Sequence, residues 1–310
     1  MKGGYILLFL LITALAFASY ILFSQIISLN STPIILQEKN SNPNKNITSY
    51  SSGSLQYYPN MKFNHNIITY YIDSSCSDEK KLRIEEALNI LEESVSEISF
   101  NEIINGDIEI TCEKKNTPSD SQGYFIAGEG GPTSVINASL FYIIEKGTVL
   151  LFYDKAVCDY PNIELHELLH VFGFGHSENK ESIMYPVSSC NQVLTSDIAN
   201  ELKRLYSIEN LPDLFFSDIS VKKHGGYIDF ELRIKNEGLT DADNIRLEIG
   251  SISSNTKIDE FDIGSINYGE GKYLKVENLK IPLRVDGIRF EIINGNEIDD
   301  NNNIAEFNID

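Results

Sequence analysis

Basic residues are scarce in this chain: 25 lysines and arginines stand against 45 aspartates and glutamates, a net charge of −20 over 310 residues. That balance excludes nucleic acid as a partner and tilts any substrate preference toward cationic segments. Cysteine is also sparse, with Cys76, Cys112, Cys158 and Cys190 and no C-x-x-C spacing among them. The glycine run Gly128-Glu129-Gly130-Gly131-Pro132 lacks the Lys-Ser/Thr ending and the following helix signal of a phosphate cradle, so it reads as a loop near a cleft. Only three methionines and five histidines occur, and three of the histidines fall within one eleven-residue stretch.

That stretch runs His166-Glu167-Leu168-Leu169-His170-Val171-Phe172-Gly173-Phe174-Gly175-His176, an H-E-x-x-H core extended to H-E-x-x-H-x-x-G-x-x-H. A spacing of four places His166 and His170 on one helical face, where both imidazoles can reach one zinc ion at roughly 2.0–2.1 Å. Gly173 can take the positive φ that ends a helix and turns the chain, and His176 then supplies a third ligand. Three neutral protein ligands leave the fourth tetrahedral position for water or substrate, the mark of a catalytic zinc. Glu167 lies beside that position and is the candidate general base for a metal-activated water. H-E-x-x-H alone also occurs in helices that hold no metal; the glycine and the third histidine at fixed offsets disfavour that reading.

Downstream, Ser182-Ile183-Met184-Tyr185-Pro186 places a methionine eight residues beyond His176. The two motifs together resemble the metzincin clan of zinc metallopeptidases, in which a methionine turn floors the zinc-binding histidines. Ser177 after the third histidine and the Met-Tyr-Pro turn look most like the matrixin branch. The resemblance implies a zinc-dependent endopeptidase acting on protein or peptide substrates, with Met184 supporting the metal site. It also implies an α+β catalytic domain, a mixed twisted sheet with a long helix and an active-site helix. Two family features are missing. His65 is the only histidine ahead of the active-site helix, so no structural zinc is expected, and no cysteine precedes Cys76 to act as a latency plug. Tyr185 is adjacent to Met184 rather than two positions on, which argues against a fifth ligand.

Periodicity supplies the elements. Ile67–Ile72 alternates as a strand; Asp78–Ile98 carries Leu82, Ala87, Leu88, Leu91 and Val95 at helical spacing. Phe100 reads as part of a turn leading to a strand at Gly106–Ile110, and Thr148–Tyr153 reads as a strand before the zinc helix. Leu194-Thr195-Ser196-Asp197 opens a helix with Ile198, Leu202 and Leu205 on its apolar face. The even cysteine count fits two disulfides in an oxidising compartment, with three pairings possible and four buried thiols as the alternative. Cys76 with Cys112 and Cys158 with Cys190 is favoured, the second tying the loop entering the zinc helix to the loop leaving the methionine turn.

Residues 1–30 include an apolar run, Tyr5–Leu29, long enough to cross a bilayer, preceded by Lys2. An uncleaved membrane anchor with everything after residue 30 outside the cell is the expected arrangement; cleavage near Ala18 would give a secreted protein. Residues 31–56 read as a flexible stalk, 57–209 as the peptidase domain and 210–310 as a separate all-β domain. In the last, alternating runs at Tyr227–Ile234, Ile245–Ile249 and Ile288–Ile293 suggest an immunoglobulin-like sandwich. Lys235-Asn236-Glu237-Gly238-Leu239-Thr240-Asp241-Ala242 and Asn296-Glu297-Ile298-Asp299-Asp300-Asn301-Asn302-Asn303 resemble the cell-adhesion-related CARDB domain. Asp299-Asp300 is a conceivable Ca2+ ligand pair, with a solvated turn preferred. The alternative to a peptidase is a surface adhesion protein whose zinc domain is inactive.

Overall fold

The structure, a computed structural model, describes residues 34–39, 55–113, 117–118, 125–152, 158–254, 256–282 and 285–309. Its first element, β1 (Ile34–Lys39), lies within the expected stalk but pairs with a strand of the C-terminal sandwich. The N-terminal half begins with β2 (Met61–Phe63), β3 (Ile67–Ile72), α1 (Asp78–Ser94), β4 (Ser99–Glu102) and β5 (Ile108–Glu113). After the short pair β6 (Thr117–Pro118) and β7 (Phe125–Ile126) come β8 (Gly128–Asn137) and β9 (Tyr142–Phe152). Helices α2 (Asn162–Val171) and α3 (Ser196–Tyr206) complete it.

Five strands run parallel in the order β2-β9-β5-β3-β4, and β8, off this path, pairs antiparallel along β9. This is the expected mixed sheet. Helix α1 starts where the Ser77 side chain accepts the Lys80 N–H, with Asp78 and Glu79 in the first turn. Its buried stripe is Ile84, Ala87, Leu88 and Leu91; Leu82, expected on that face, is 67% exposed, because it stands about half a turn round the helix from that stripe. Helix α2 is buried nearly all round, as suits a helix running through the middle of a domain. Phe100 sits in β4 rather than in a turn, and Gly128–Pro132 is strand rather than loop.

The remaining strands are β10 (Leu214–His224), β11 (Tyr227–Asn236), β12 (Ala242–Ser251), β13 (Lys257–Ile266), β14 (Glu270–Lys280), β15 (Gly287–Ile293) and β16 (Ile304–Asn308). They form two four-stranded antiparallel sheets, β1-β14-β11-β10 and β13-β12-β15-β16. Alternate residues of β11, β12 and β15 face a core in which Phe290 meets Phe230 at 5.1 Å. A third apolar cluster joins the halves: Ala138, Phe141 and Ile143 of the β8–β9 hairpin meet Leu239 of the sandwich, with Ile208, Tyr268 and Ile298 around them. Among the described residues no helix is long and apolar enough to cross a membrane; the expected anchor, residues 1–30, lies outside them.

Candidate metal centre and active site

Helix α2 presents His166 and His170 to the same point, and its end is fixed by glycine. Gly173 has φ +83°, and a Cβ there would lie 2.6 Å from Met61 Sδ, so both conformation and space require glycine. The turn brings His176 to the same point. Ring centroids of His176 lie 5.3 Å from His166 and 4.9 Å from His170, and one ligand nitrogen from each of the three falls within 4.8 Å of the others.

Hydrogen bonds settle which nitrogens face inward. His166 Nδ1 lies 2.7 Å from the Ile183 carbonyl and His170 Nδ1 lies 2.8 Å from the Phe174 carbonyl. A carbonyl only accepts, so both Nδ1 atoms carry the proton and both Nε2 atoms keep a lone pair. Those two Nε2 atoms stand 3.0 Å apart with no proton between them, an arrangement that a shared cation relieves. Burial pushes both imidazoles down to about 4, with like-charged ring neighbours adding to it, and burial lowers His176 too. The neutral, metal-binding form therefore prevails at neutral pH. The Tyr57 hydroxyl adds a contact to His170 Nδ1 at 2.9 Å.

The methionine turn acts through its backbone as well as its side chain. Met184 is buried, and the turn closes where the Tyr185 N–H meets the Ser182 carbonyl at 3.0 Å. Its Ile183 carbonyl orients His166, while the Met184 carbonyl accepts the N–H of Ser177, next to His176, at 2.8 Å. The Cys158–Cys190 disulfide joins the chain before α2 to the chain after this turn, and Cys76 pairs with Cys112, the pairing favoured above.

Glu167 is 7% exposed. Burial pushes its carboxyl up to about 8; Glu129 and Glu164 add to this, and a hydrogen bond from the Gly130 N–H opposes it. A divalent ion held by the three histidines would favour the charged form of Glu167 and oppose this rise. The glycines of β8 matter here, since a Cβ on Gly128 would lie 2.6 Å from Glu167 Cγ and one on Gly130 would lie 2.1 Å from the Glu167 carbonyl oxygen. Behind the helix, buried Glu164 holds Lys80 at 3.0 Å and Arg83 at 3.3 Å, tying α1 to α2. His65 is not part of the cluster and lies 3.5 Å from Asp107.

Several contributors carry no motif. Tyr57 and Gln56 precede the first strand of the domain. The Tyr57 N–H bonds the Gly173 carbonyl at 2.7 Å and the Gly175 N–H bonds the Leu55 carbonyl at 3.0 Å, so Leu55, counted with the stalk, and Tyr57, at the expected start of the next domain, brace the loop that carries His176. Buried Gln56 adds a bond to the Phe172 carbonyl at 2.9 Å. An uncharged Gln-Tyr pair gives no signal of this kind; the Gly-x-Gly spacing of β8 does, as a mark of close backbone approach.

A search of curated proteins returns no match. Among solved structures, the chain is similar to high choriolytic enzyme 1, a hatching enzyme zinc-protease of the medaka fish Oryzias latipes, at 23% identity and a TM-score of 0.24. That likeness covers 36% of this chain and 46% of the enzyme, so the chain spans less than half of that relative's length. It is also similar to the CARDB domain of a Pyrococcus furiosus protein, solved in complex with di-metal ions. There the identity is 20% and the TM-score 0.26, over 32% of this chain and 87% of that one. The matrixin family model matches residues 62–207, from β2 through the histidine cluster and the methionine turn to the end of α3. Residues 62–207, just under half of the 310-residue chain, are thus matrixin-like.

Proposed function

We propose that the chain is a zinc-dependent endopeptidase displayed outside the cell, held to the membrane through residues 1–30, with protein or peptide substrates. The observation that carries this reading is the pair of unprotonated Nε2 atoms 3.0 Å apart, with His176 beside them and the Glu167 carboxyl next in sequence. His166, His170 and His176 would hold the metal. Zinc bound there supplies Lewis acidity, polarising a scissile carbonyl and lowering the pKa of water. Glu167 accepts a proton from the water that attacks the carbonyl carbon and returns it to the departing amine nitrogen, so no covalent enzyme intermediate forms. Strand β8 pairs only with β9 among the described residues, which leaves its other edge free to take an extended substrate as an added strand. Exposed Glu129 on that edge favours a cationic residue nearby.

Cleavage of casein and of a peptide library by the zinc-loaded chain tests the reading. Activity abolished by chelation, and lowered about 10²- to 10⁴-fold by Glu167→Ala at unchanged zinc content, is the expected result. Stoichiometric zinc with no cleavage of any peptide overturns it in favour of a surface-binding protein with an inactive zinc domain.

A further inference from the structure

The junction between the matrixin-like region and the sandwich leaves several buried oxygen acceptors unpaired. Asp213, just before β10, is 1% exposed. Its N–H donates to Asn236 Oδ1 at 3.1 Å, its carbonyl accepts the Glu237 N–H at 2.8 Å, and its carboxylate accepts Asn302 Nδ2 at 3.1 Å. Glu297 Oε2 accepts the Leu214 N–H at 2.8 Å, bringing a second carboxylate to the same place. The side chains of Asn303, 6% exposed, and of Asn294 hydrogen-bond the Glu297 carboxylate. Three oxygens of this group, Glu297 Oε1, Asn302 Oδ1 and Asn303 Oδ1, are buried without a hydrogen-bond partner. Buried acceptors left unpaired are costly, and three within the one turn 297–303 point to a common partner.

Charge leads the same way. Burial raises the carboxyls of Asp213, Glu237 and Glu297, and the charges that raise them further are Asp299 acting on Asp213, and Asp213 acting on the other two. No lysine or arginine figures among the groups acting on these three. Asp299 itself is accounted for: its Oδ1 accepts the Asn301 N–H at 2.9 Å and Nδ2 at 2.7 Å, closing an exposed turn. The Asp299-Asp300 pair is thus the solvated turn expected from sequence, and the unmet acceptors lie one layer further in.

We propose that Asp213, Glu297, Asn302 and Asn303 form a binding site for a hard divalent cation of the calcium class. Carboxylate and amide oxygens, without histidine or cysteine, are the donor set such an ion takes, and the two carboxylates balance its charge. The ion fastens the linker at Asp213 to the 297–303 turn, beside the apolar cluster of Ile208, Leu239 and Ile298 that joins the two halves. The site stands apart from the histidine cluster and does not depend on the peptidase reading.

Calorimetric titration of the zinc-loaded full-length chain with calcium, paired with thermal unfolding, tests the proposal. One calcium per chain is expected, with Tm raised by about 5 °C or more at a hundredfold excess over Kd. Glu297→Gln and Asn303→Leu should each weaken binding at least about tenfold while peptide cleavage per zinc is unchanged. Asn303→Asp, which keeps the shape and adds a charge, should tighten it, and decides the matter should the leucine variant fail to fold. The proposal is overturned by the absence of saturable heat up to about 10 mM calcium, well past the weak end of extracellular calcium modules. An affinity unmoved by Glu297→Gln and Asn303→Asp overturns it equally.

Discussion

Lys62 has no exposed surface, yet neither of its near partners is charged. Its Nζ lies 3.2 Å from Asn210 Oδ1 and 4.8 Å above the Tyr206 ring. Burial lowers its pKa from 10.5 to about 8. Below pH 8 both folded and unfolded chains carry the proton, so the folded state bears the full desolvation cost. Between about 8 and 10.5 the unfolded chain binds more protons, and the stability contribution of this residue rises with pH. Relative to Lys62→Met, the wild type should gain on the order of 3 kcal/mol across that window, read from denaturant midpoints at its two ends. A gap that does not change with pH would show that Lys62 is solvated after all. Sequence gave no warning of this lysine, because a Met-Lys-Phe alternation puts the middle residue on the solvent side, whereas both faces of β2 are covered. The histidines were legible for the opposite reason: spacings of four and six leave a helix and its glycine turn few other ways to arrange them.

Strand β8 is the element on which the catalytic geometry most depends, and composition hides it. Gly128, Gly130, Gly131 and Pro132 read as loop because glycine and proline are depleted in strands; here the missing side chains let the strand lie directly against α2. Gly130→Ala should push the strand off Glu167 and lower cleavage, by about a hundredfold if the shift reaches 1 Å. Gly131→Ala, whose Cβ would meet nothing within 4 Å, should leave the rate near wild type, and peptide-cleavage assays on the two variants separate packing from composition. Equal loss in both would sink the close-approach account. Other elements were plain from pattern: β3 from its alternation, α1 from its apolar spacing, and the sandwich strands from theirs. β4 escaped notice because three of its four residues are exposed, leaving no two-residue period to see.

At the scale of the whole molecule, the chain crosses its own halves more than once. β1 joins the sandwich, Leu55–Tyr57 brace the metal-site loop, and the hairpin carrying β8 and β9 reaches across to Leu239. Gly269 of the sandwich, at φ +72°, approaches so near that a Cβ there would lie 2.4 Å from Ile136 of that hairpin. Phe141, 2% exposed, is the largest buried side chain of this joint. Phe141→Ala should cost about 3–5 kcal/mol of coupling and split one calorimetric unfolding transition into two, with zinc content unchanged. A single unsplit transition would mean the joint does not couple the halves. None of this was legible beforehand, since contacts between segments over a hundred residues apart leave no local period.

The central claim is a metal held by three imidazoles with one position left for water or substrate. X-ray absorption at the zinc edge of the loaded chain measures it directly: three imidazole nitrogens and one further oxygen at about 2.0–2.1 Å, with no sulfur, is the predicted shell. Four protein ligands, any thiolate, or fewer than three imidazoles would contradict it.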